Sequence, residues 1–196
     1  MHSIVMVPLL TIYRDQCIRG ISSVATEPDF VYKLVFLGDT AVGKTSLVER
    51  YVYDSISVDI GRTIGAILHV KRMRFRDNLY KLVVWDLGGE ESFADLREQY
   101  CSNASGAFFV FDRTRPETFE SMDKWLDALY SAAGEVPVVV VENKIDLESR
   151  ISQDEVHKEI SGRVMNYVQT SALEDKNVDL AFQELVRQIS QKYENP

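Results

Sequence analysis

The sequence predicts an α/β fold, in which a six-stranded, mostly parallel sheet carries helices on both faces. The first observation is that short apolar runs alternate along the chain with segments whose apolar residues recur at helical spacing. The second is that 196 residues, of which 45% are apolar and 27% charged, suit one globular domain with a full core. The predicted strands are 31–37, 66–75, 79–85, 107–112, 136–142 and 164–168. The predicted helices are 44–52, 91–101, 116–132, 152–161 and 175–192.

Local signals support the individual elements in chain order. The first strand is an apolar run that leads into a glycine-rich loop, and the first helix follows that loop. The second and third strands flank Asp77 and Asn78, a pair that favours a hairpin. The third helix has Pro116 at its start and apolar residues at helical spacing, among which Trp125 and Leu126 are expected in the core. In a sheet of this kind, ligands bind at the carboxyl ends of the strands.

The loop after the first strand, residues 38–45, matches the P-loop pattern G-x-x-x-x-G-K-[ST]. Its glycines let successive backbone N–H groups face an oxyanion, and the following helix adds the positive end of its dipole. Lys44 is expected to reach the outer phosphates, and the Thr45 hydroxyl to bind Mg²⁺. The remaining phosphate-binding positions are Gly38, Asp39, Thr40, Ala41, Val42, Gly43 and Ser46.

The tetrapeptide at 143–146, Asn-Lys-Ile-Asp, predicts which base is bound. A carboxylate at the end of a buried strand can accept two N–H bonds, and guanine offers that pair whereas adenine does not. Asp146 is therefore the predicted base-selecting residue, Asn143 fixes the loop, and the Lys144 stem covers the ring. The backbone after the last strand is expected to meet the guanine carbonyl oxygen, through Ser171, Ala172 and Leu173.

A third group of residues lies between these motifs. Asp86 ends an apolar strand and is expected to hold Mg²⁺ through water. Thr63 supplies a second hydroxyl for the metal, and Gly89 lets its backbone N–H approach a γ-phosphate.

These five motifs, in this order, resemble those of the Ras superfamily of small GTPases, and the resemblance covers residues 30–193. Within the superfamily the likeness is closest to Rab proteins. It implies a P-loop NTPase small G domain that binds GTP or GDP with Mg²⁺, hydrolyses GTP slowly and acts as a switch in vesicle or membrane traffic. The implied catalytic residues are Lys44, Thr63, Gly89 and Glu90. The stretches that carry the Rab likeness are 38–47, 63–65, 81–86, 106–112, 115–119 and 124–126.

The sequence departs from that family pattern at two single positions and at one pair of glycines. Ile56 stands where the family has a Phe that stacks on the guanine, so a shielding contact remains without the aromatic face. Glu90 stands where the family has Gln, and a carboxylate can accept but cannot donate to a γ-phosphate. The alternative for Glu90 is an exposed side chain that points away from the nucleotide. The pair Gly88-Gly89 is more like the Arf branch.

Two functions therefore stay open at this point. One is a cycling GTP-dependent switch, and the other is a poorly hydrolysing GTP-binding module that recruits partners constitutively. A P-loop kinase or an adenine-specific ATPase is disfavoured by Asp146.

The resemblance also implies partners. Rab proteins bind effectors through an exposed aromatic triad, and the matching positions are Leu68, Trp85 and Tyr100, although Trp85 could instead pack beneath the switch. An exchange factor and a GTPase-activating protein are expected, with the chain itself a monomer. The net charge of −8 argues against nucleic acid as a ligand.

The terminal segments lie outside the predicted domain of residues 30–193. Residues 1–29 are expected to form a flexible extension, with a membrane or partner contact as the alternative, and 194–196 a short tail. The sequence contains no lipidation motif and no apolar run of about 18–20 residues, so membrane contact stays open. Two cysteines, Cys17 and Cys101, are too few for a disulfide framework. A cytoplasmic protein, peripheral to endomembranes at most, is the expectation.

Overall fold

The structure is a computed structural model that describes residues 27–57, 61, 63–89, 99–163 and 165–194. Its strands form one sheet in the order β2-β3-β1-β4-β5-β6. The strands are β1 (Phe30–Leu37), β2 (Ala66–Phe75), β3 (Asn78–Leu87), β4 (Gly106–Asp112), β5 (Val138–Asn143) and β6 (Asn166–Gln169). The helices are α1 (Lys44–Tyr53), α2 (Glu117–Glu120), α3 (Met122–Ala133), α4 (Gln153–Ser161) and α5 (Val178–Tyr193).

The strand directions place the functional loops together. The edge strand β2 runs antiparallel to β3, whereas β3, β1, β4, β5 and β6 are mutually parallel. Phe75 pairs with Asn78 across the intervening turn, so the predicted hairpin is confirmed. Because the parallel strands share one direction, their carboxyl ends lie along a single edge of the sheet, where the predicted motifs fall.

Apolar side chains fill both faces of the sheet. On one face, α1 and α5 contribute to a first core cluster that includes Leu47, Phe182 and Phe108. On the other face, α3 and α4 contribute to a second core cluster that includes Trp125 and Val156. All residues of β4 and β5 are buried, as expected for central strands covered on both sides. The predicted fold class is confirmed.

The helix predicted at 116–132 is divided in two. Ser121 separates α2 from α3 because its ψ of −2° departs from helical geometry. Its hydroxyl donates to the Thr118 carbonyl oxygen at 3.0 Å, while the Thr118 hydroxyl donates to the Arg115 carbonyl oxygen at 2.7 Å. Such local side-chain bonds compete with the helical ladder.

Other boundaries differ from the prediction by one to three residues, and two of these differences have local causes. The last helix begins at Val178 rather than at 175, because Asp175 and Asn177 have φ values of 55° and 56°, which a right-handed helix excludes. The fifth strand begins at Val138 rather than at 136, and Pro137 immediately before it has no N–H to donate to a neighbouring strand.

Several predictions fall outside the described residues. These are the extension at 1–26, Glu90, positions 91–98 of the predicted second helix, position 164 of the last predicted strand and positions 195–196 of the tail. Positions 99–101, the end of the predicted second helix, are helical. Within the described part of the chain, no helix has the length and apolar character needed to cross a bilayer.

Candidate nucleotide site

A cavity of about 290 Å³ opens at the carboxyl edge of the sheet. It joins four segments that are far apart in sequence: the P-loop at 38–45, the segment before β2, the end of β3 and the loop after β5. The lining residues are Thr40, Ala41, Gly43, Lys44, Thr45, Ser46, Gly61, Thr63, Leu87, Gly89 and Lys144.

The P-loop wraps around the Lys44 side chain. Lys44 is only 6% exposed, and its ammonium donates to the carbonyl oxygens of Gly38 at 2.7 Å and Asp39 at 2.8 Å. Since α1 begins at Lys44, the N–H groups of its first turn add positive potential at the same point. The loop therefore presents a concentrated positive charge suited to an oxyanion.

Three side-chain oxygens converge beside the start of α1. The Thr45 hydroxyl donates to Asp86 Oδ2 at 2.5 Å and lies 2.9 Å from the Thr63 hydroxyl. Thr63 Oγ1 is 3.5 Å from the same Asp86 oxygen. Hydroxyl and carboxylate oxygens are the ligands that Mg²⁺ prefers in proteins. The three predicted metal-site residues thus lie together.

The second Asp86 oxygen tests whether a metal fits this site. Asp86 is completely buried, and Oδ1 has no hydrogen-bond partner among the described residues. Burial raises the pKa of Asp86 above its ordinary value, although the Thr45 hydrogen bond and the Lys44 charge oppose the rise. An unpaired buried carboxylate oxygen is costly, and a divalent cation would supply the missing partner. The donor set therefore fits Mg²⁺.

The base loop, residues 143–146, is tied directly to the P-loop. Asn143 donates from Nδ2 to the Val42 carbonyl oxygen at 2.9 Å and accepts at Oδ1 from the Thr170 hydroxyl at 3.1 Å and the Ala172 N–H at 3.3 Å. Gly43 allows this approach, because a Cβ there would lie 2.2 Å from Asn143 Nδ2 and its φ of 99° disfavours larger residues. Asn143 therefore joins the base loop to the P-loop and to the segment 170–172, a geometry that suits its predicted role of fixing the loop.

Lys144 crosses from the base loop to the P-loop. Its ammonium donates to the Ala41 carbonyl oxygen at 2.9 Å and to Asp112 Oδ2 at 2.6 Å. Burial alone would raise the pKa of Asp112, but the Lys144 ammonium and the bonds from Thr114 outweigh it and hold that pKa below its ordinary value. The Lys144 stem thus spans the gap between the two loops where the prediction sets the base.

The remaining base-site residues lie near one another but differ in exposure. Asp146 is half-buried, and its Oδ1 accepts a hydrogen bond from the Ser171 hydroxyl at 2.5 Å. Ser171 and Ala172 are buried, whereas Leu173 is 71% exposed. Ile56 packs against the first core cluster and is not among the side chains that line the cavity. Its predicted place over the base stays a prediction.

Gly89 lies against the P-loop backbone. A Cβ at Gly89 would be 2.4 Å from the carbonyl carbon of Asp39 and 2.4 Å from the nitrogen of Thr40. The preceding Gly88 donates its N–H to the Gly65 carbonyl oxygen at 2.8 Å, which links the end of β3 to the segment before β2. The next residue, Glu90, lies outside the described residues, so its predicted catalytic role stays a prediction.

The predicted partner surface forms a continuous patch. Leu68 is 51% exposed and pairs with Trp85 across β2 and β3. The Trp85 ring lies 5.6 Å from that of Tyr100, and the Lys33 ammonium sits 4.9 Å above the indole. Trp85 and Tyr100 are partly buried against the second core cluster. The role of Trp85, in partner binding or in packing beneath the switch, stays a prediction.

Two further P-loop contacts are absent from the sequence prediction. Arg115 donates from Nη2 to the Thr40 carbonyl oxygen at 2.8 Å and pairs with Asp112. Trp125, expected only in the core, also donates from Nε1 to Asp39 Oδ1 at 2.9 Å. A role for Asp112 at the site could have been predicted from its place at the end of β4, as it was for Asp86 at the end of β3. The contact between Trp125 and Asp39 has no signal in the sequence.

The comparisons with known proteins agree with this arrangement. A model of the Ras family matches residues 33–191. The chain is 36% identical over 166 residues to Ras-related protein RABA6b of Arabidopsis thaliana, an alignment that covers 83% of this chain and 72% of that protein. It is 32% identical over 166 residues to Ras-related protein Rab-11A of Dictyostelium discoideum, covering 83% and 78%. It is 36% identical over 167 residues to Ras-related protein Rab-7b of Mus musculus, covering 83% and 84%. The family model and these relatives show that the chain belongs to the Ras superfamily of small GTPases and is similar to its Rab proteins.

Proposed function

We propose that the protein is a GTP-dependent switch of membrane traffic that hydrolyses GTP to GDP and phosphate. The observation that carries the proposal is the shared cavity, whose lining includes Lys44, Thr63 and Gly89. The segment before β2 and the segment at the end of β3 both meet the P-loop in this cavity. A γ-phosphate can therefore hold both segments in place, and its loss can release them.

The site residues have separate roles in this reaction. Lys44 neutralises charge on the outer phosphates, and the Gly89 N–H donates to the γ-phosphate as water attacks in line. Thr45, Thr63 and Asp86 hold Mg²⁺, which when bound offsets the charge of the β- and γ-phosphates. An activating partner can supply an arginine that stabilises the same negative charge in the transition state.

The base is selected by Asp146 and held by the loops around it. Its carboxylate accepts from the two N–H groups of guanine, and the Ser171 hydroxyl, 2.5 Å from Oδ1, supports its orientation. The amides of Ala172 and Leu173 meet the guanine carbonyl oxygen, and Ile56 shields the ring.

The variant Asp146→Asn tests the base site. Xanthine has a carbonyl where guanine has an amine, so an amide donor at 146 fits xanthine and opposes guanine. We expect wild type to prefer GTP, and Asp146→Asn to prefer XTP, with the ratio of the two affinities shifted by about a hundredfold or more. Competition against a fluorescent GDP analogue measures both affinities. Asp77→Asn, an exposed change in the β2–β3 turn, is the matched control and should keep the wild-type ratio. If Asp146→Asn still preferred GTP, the assignment of Asp146 would be wrong.

A second candidate is a GTP-binding module that hydrolyses poorly and recruits partners constitutively. The carboxylate of Glu90, in place of an amide that could donate, favours it. We expect Glu90→Gln to raise hydrolysis at saturating activating protein by about tenfold or more, because a missing transition-state donor costs about a hundredfold or more. Single-turnover assays of wild type, Glu90→Gln and the neighbouring control Glu91→Gln measure this. Equal stimulated rates in all three would make Glu90 a bystander and favour the cycling switch.

We further propose that residues 30–193 form the GTPase domain, flanked by an extension at 1–29 and a tail at 194–196. The protein acts as a monomer at the cytoplasmic side of endomembranes, with an exchange factor and an activating protein. Effectors bind the patch of Leu68, Trp85 and Tyr100. Support for this surface comes from the exposed Leu68, which pairs with the partly buried Trp85 next to the nucleotide-sensing segments.

A further inference from the structure

A buried carboxylate that the reaction does not use lies directly before the base loop. Glu142 is completely buried at the end of β5, one residue before Asn143. Its oxygens accept from the Gln169 amide at 2.9 Å, from the Gln153 amide at 3.2 Å and from the Tyr167 hydroxyl. Burying a carboxylate is costly unless it is paired and hydrogen-bonded, and these hydrogen bonds offset that cost for Glu142.

Arg113 is the cation of this cluster, and it also contacts the base loop. Its Nε lies 3.1 Å from Glu142 Oε1, a charge contact in which the Nε–H is not aimed at an acceptor. Its Nη1 donates to the Ile145 carbonyl oxygen at 3.1 Å. Its backbone N–H donates to the Asn143 carbonyl oxygen at 3.2 Å, and its carbonyl oxygen accepts from the Arg150 N–H at 2.9 Å. Arg113 therefore meets the segment 143–150 at three points.

The backbone of Glu142 joins the second base-contacting segment. Its carbonyl oxygen accepts from the Thr170 N–H at 2.8 Å, and the Thr170 carbonyl oxygen accepts from the Ile145 N–H at 3.1 Å. Ile145 is thus held through its N–H by Thr170 and through its carbonyl oxygen by Arg113. Asp146 is the next residue, so these two bonds set where its carboxylate lies.

We propose that Glu142 and Arg113 form a positioning pair that aligns Asp146 for guanine and so sets base discrimination. The inference rests on the proposed function, in which Asp146 receives the base. Hydrogen bonds weaken steeply as they lose alignment, so a shift of the base loop costs the Asp146–guanine bonds more than it costs the phosphate contacts. A purely structural pair would weaken all nucleotides alike.

The test compares GDP with inosine diphosphate, whose base lacks the exocyclic amine that pairs with a carboxylate. Dissociation of fluorescent analogues of both is measured for wild type, Arg113→Met and Glu142→Gln. We expect each variant to lower the preference for GDP by about tenfold, the effect of one lost charged hydrogen bond. Arg187→Met removes a more exposed Arg–Glu pair on α5, where Arg187 lies 2.6 Å from Glu184, and should keep the wild-type preference.

The outcomes separate this inference from the proposed function. A wild-type protein without preference for GDP over inosine diphosphate would overturn the base site itself. A wild-type preference that persists in Arg113→Met and Glu142→Gln would overturn only the positioning role. If either variant fails to fold, Arg113→Lys decides, because it keeps a cation beside Glu142 but loses the second nitrogen that reaches Ile145. A reduced preference in Arg113→Lys supports the proposal, and an unchanged one overturns it.

The double variant Arg113→Met/Glu142→Gln tests whether the two residues act as a unit. A loss of GDP preference no larger than that of one single variant shows that they do.

Discussion

At the scale of single residues, Asp86 shows how the requirements of binding and folding oppose each other. Its carboxylate is completely buried with one oxygen unpaired among the described residues, and burial raises its pKa. The folded state therefore binds the proton of the Asp86 carboxyl more tightly than the unfolded state does. The protonated carboxyl contributes fully to the stability of the folded state below the ordinary pKa of Asp. That contribution is lost as the pH rises through the raised pKa of the folded state. At neutral pH, the ionised group therefore destabilises the metal-free protein.

We therefore expect Asp86→Asn to stabilise the nucleotide-free protein in EDTA at pH 7 and to abolish the further stabilisation by Mg²⁺ and nucleotide. The melting temperature in EDTA should rise by about 2 °C or more, since 1 kcal/mol corresponds to about 2–4 °C in a chain of this size. Below the ordinary pKa the difference should vanish. Thermal unfolding across pH measures this, with the exposed Asp127→Asn on α3 as the control. A lower melting temperature for Asp86→Asn in EDTA would contradict the argument.

Sequence reasoning succeeds for residues whose position alone reveals their role. Asp86 and Asn143 sit at the carboxyl ends of apolar strands, and strand direction alone brings such ends together. Arg115 and Trp125 give no such signal, because a sequence shows the residue type but not the distant group it meets. Their partners are fixed only when the loops fold against one another.

At the scale of elements, the Trp125 side chain joins α3 to the P-loop. Trp125 is 1% exposed within the second core cluster, yet its Nε1–H reaches Asp39 Oδ1 at 2.9 Å. Buried indole rings commonly keep such a polar contact. A helix that packs on the sheet thereby also constrains the loop that is expected to hold the phosphates.

Trp125→Phe should loosen the P-loop because it keeps an aromatic ring but leaves Asp39 without this donor. We expect the free energy of unfolding to fall by about 2–4 kcal/mol from the lost hydrogen bond and the smaller ring. GDP dissociation should be faster by about fivefold or more, since a looser loop costs about 1 kcal/mol of binding. Stopped-flow release of a fluorescent GDP analogue measures the rate. Trp85→Phe, which alters the other tryptophan, should leave the rate within about twofold. Unchanged GDP release from Trp125→Phe would show that the contact is only a packing detail.

The elements themselves were largely predictable, and their exceptions have local causes. Apolar periodicity gives the six strands, but it does not show that the Thr118 and Ser121 hydroxyls divide a helix. It also does not show that Asp175 and Asn177 adopt positive φ before α5. Both exceptions arise from polar side chains and backbone angles, to which hydrophobic patterns are insensitive.

At the scale of the whole molecule, the proposed switch depends on two segments that close on one loop. The Gly88 N–H bond to Gly65 joins the end of β3 to the start of β2, and Gly89 touches the P-loop backbone. Leu68 and Trp85 lie on the same two strands, so a change at the phosphates has a short path to the partner patch. A ligand shifts such an equilibrium only by its difference in affinity for the two states.

Gly89→Ala should therefore separate GTP from GDP. An Ala Cβ would lie 2.4 Å from backbone atoms of Asp39 and Thr40, neither of which can move cheaply, so the segment must retreat from the P-loop. Only GTP has the γ-phosphate that the Gly89 N–H is expected to meet, and GDP does not need the closed arrangement. We expect GTP affinity to fall by about tenfold or more and GDP affinity to change by less than about twofold. A ligand that binds the closed and open arrangements equally well keeps its affinity when their populations change.

Competition binding of both nucleotides measures this ratio at fixed Mg²⁺. Gly162→Ala is the matched control, since its Cβ would have no neighbour closer than the Glu159 carbonyl oxygen at 3.9 Å. An equal loss of GTP and GDP affinity in Gly89→Ala would mean that the substitution damages the P-loop itself. The contact between Gly89 and the P-loop would then belong to both nucleotide states, and the element that distinguishes them would have to lie elsewhere in the chain.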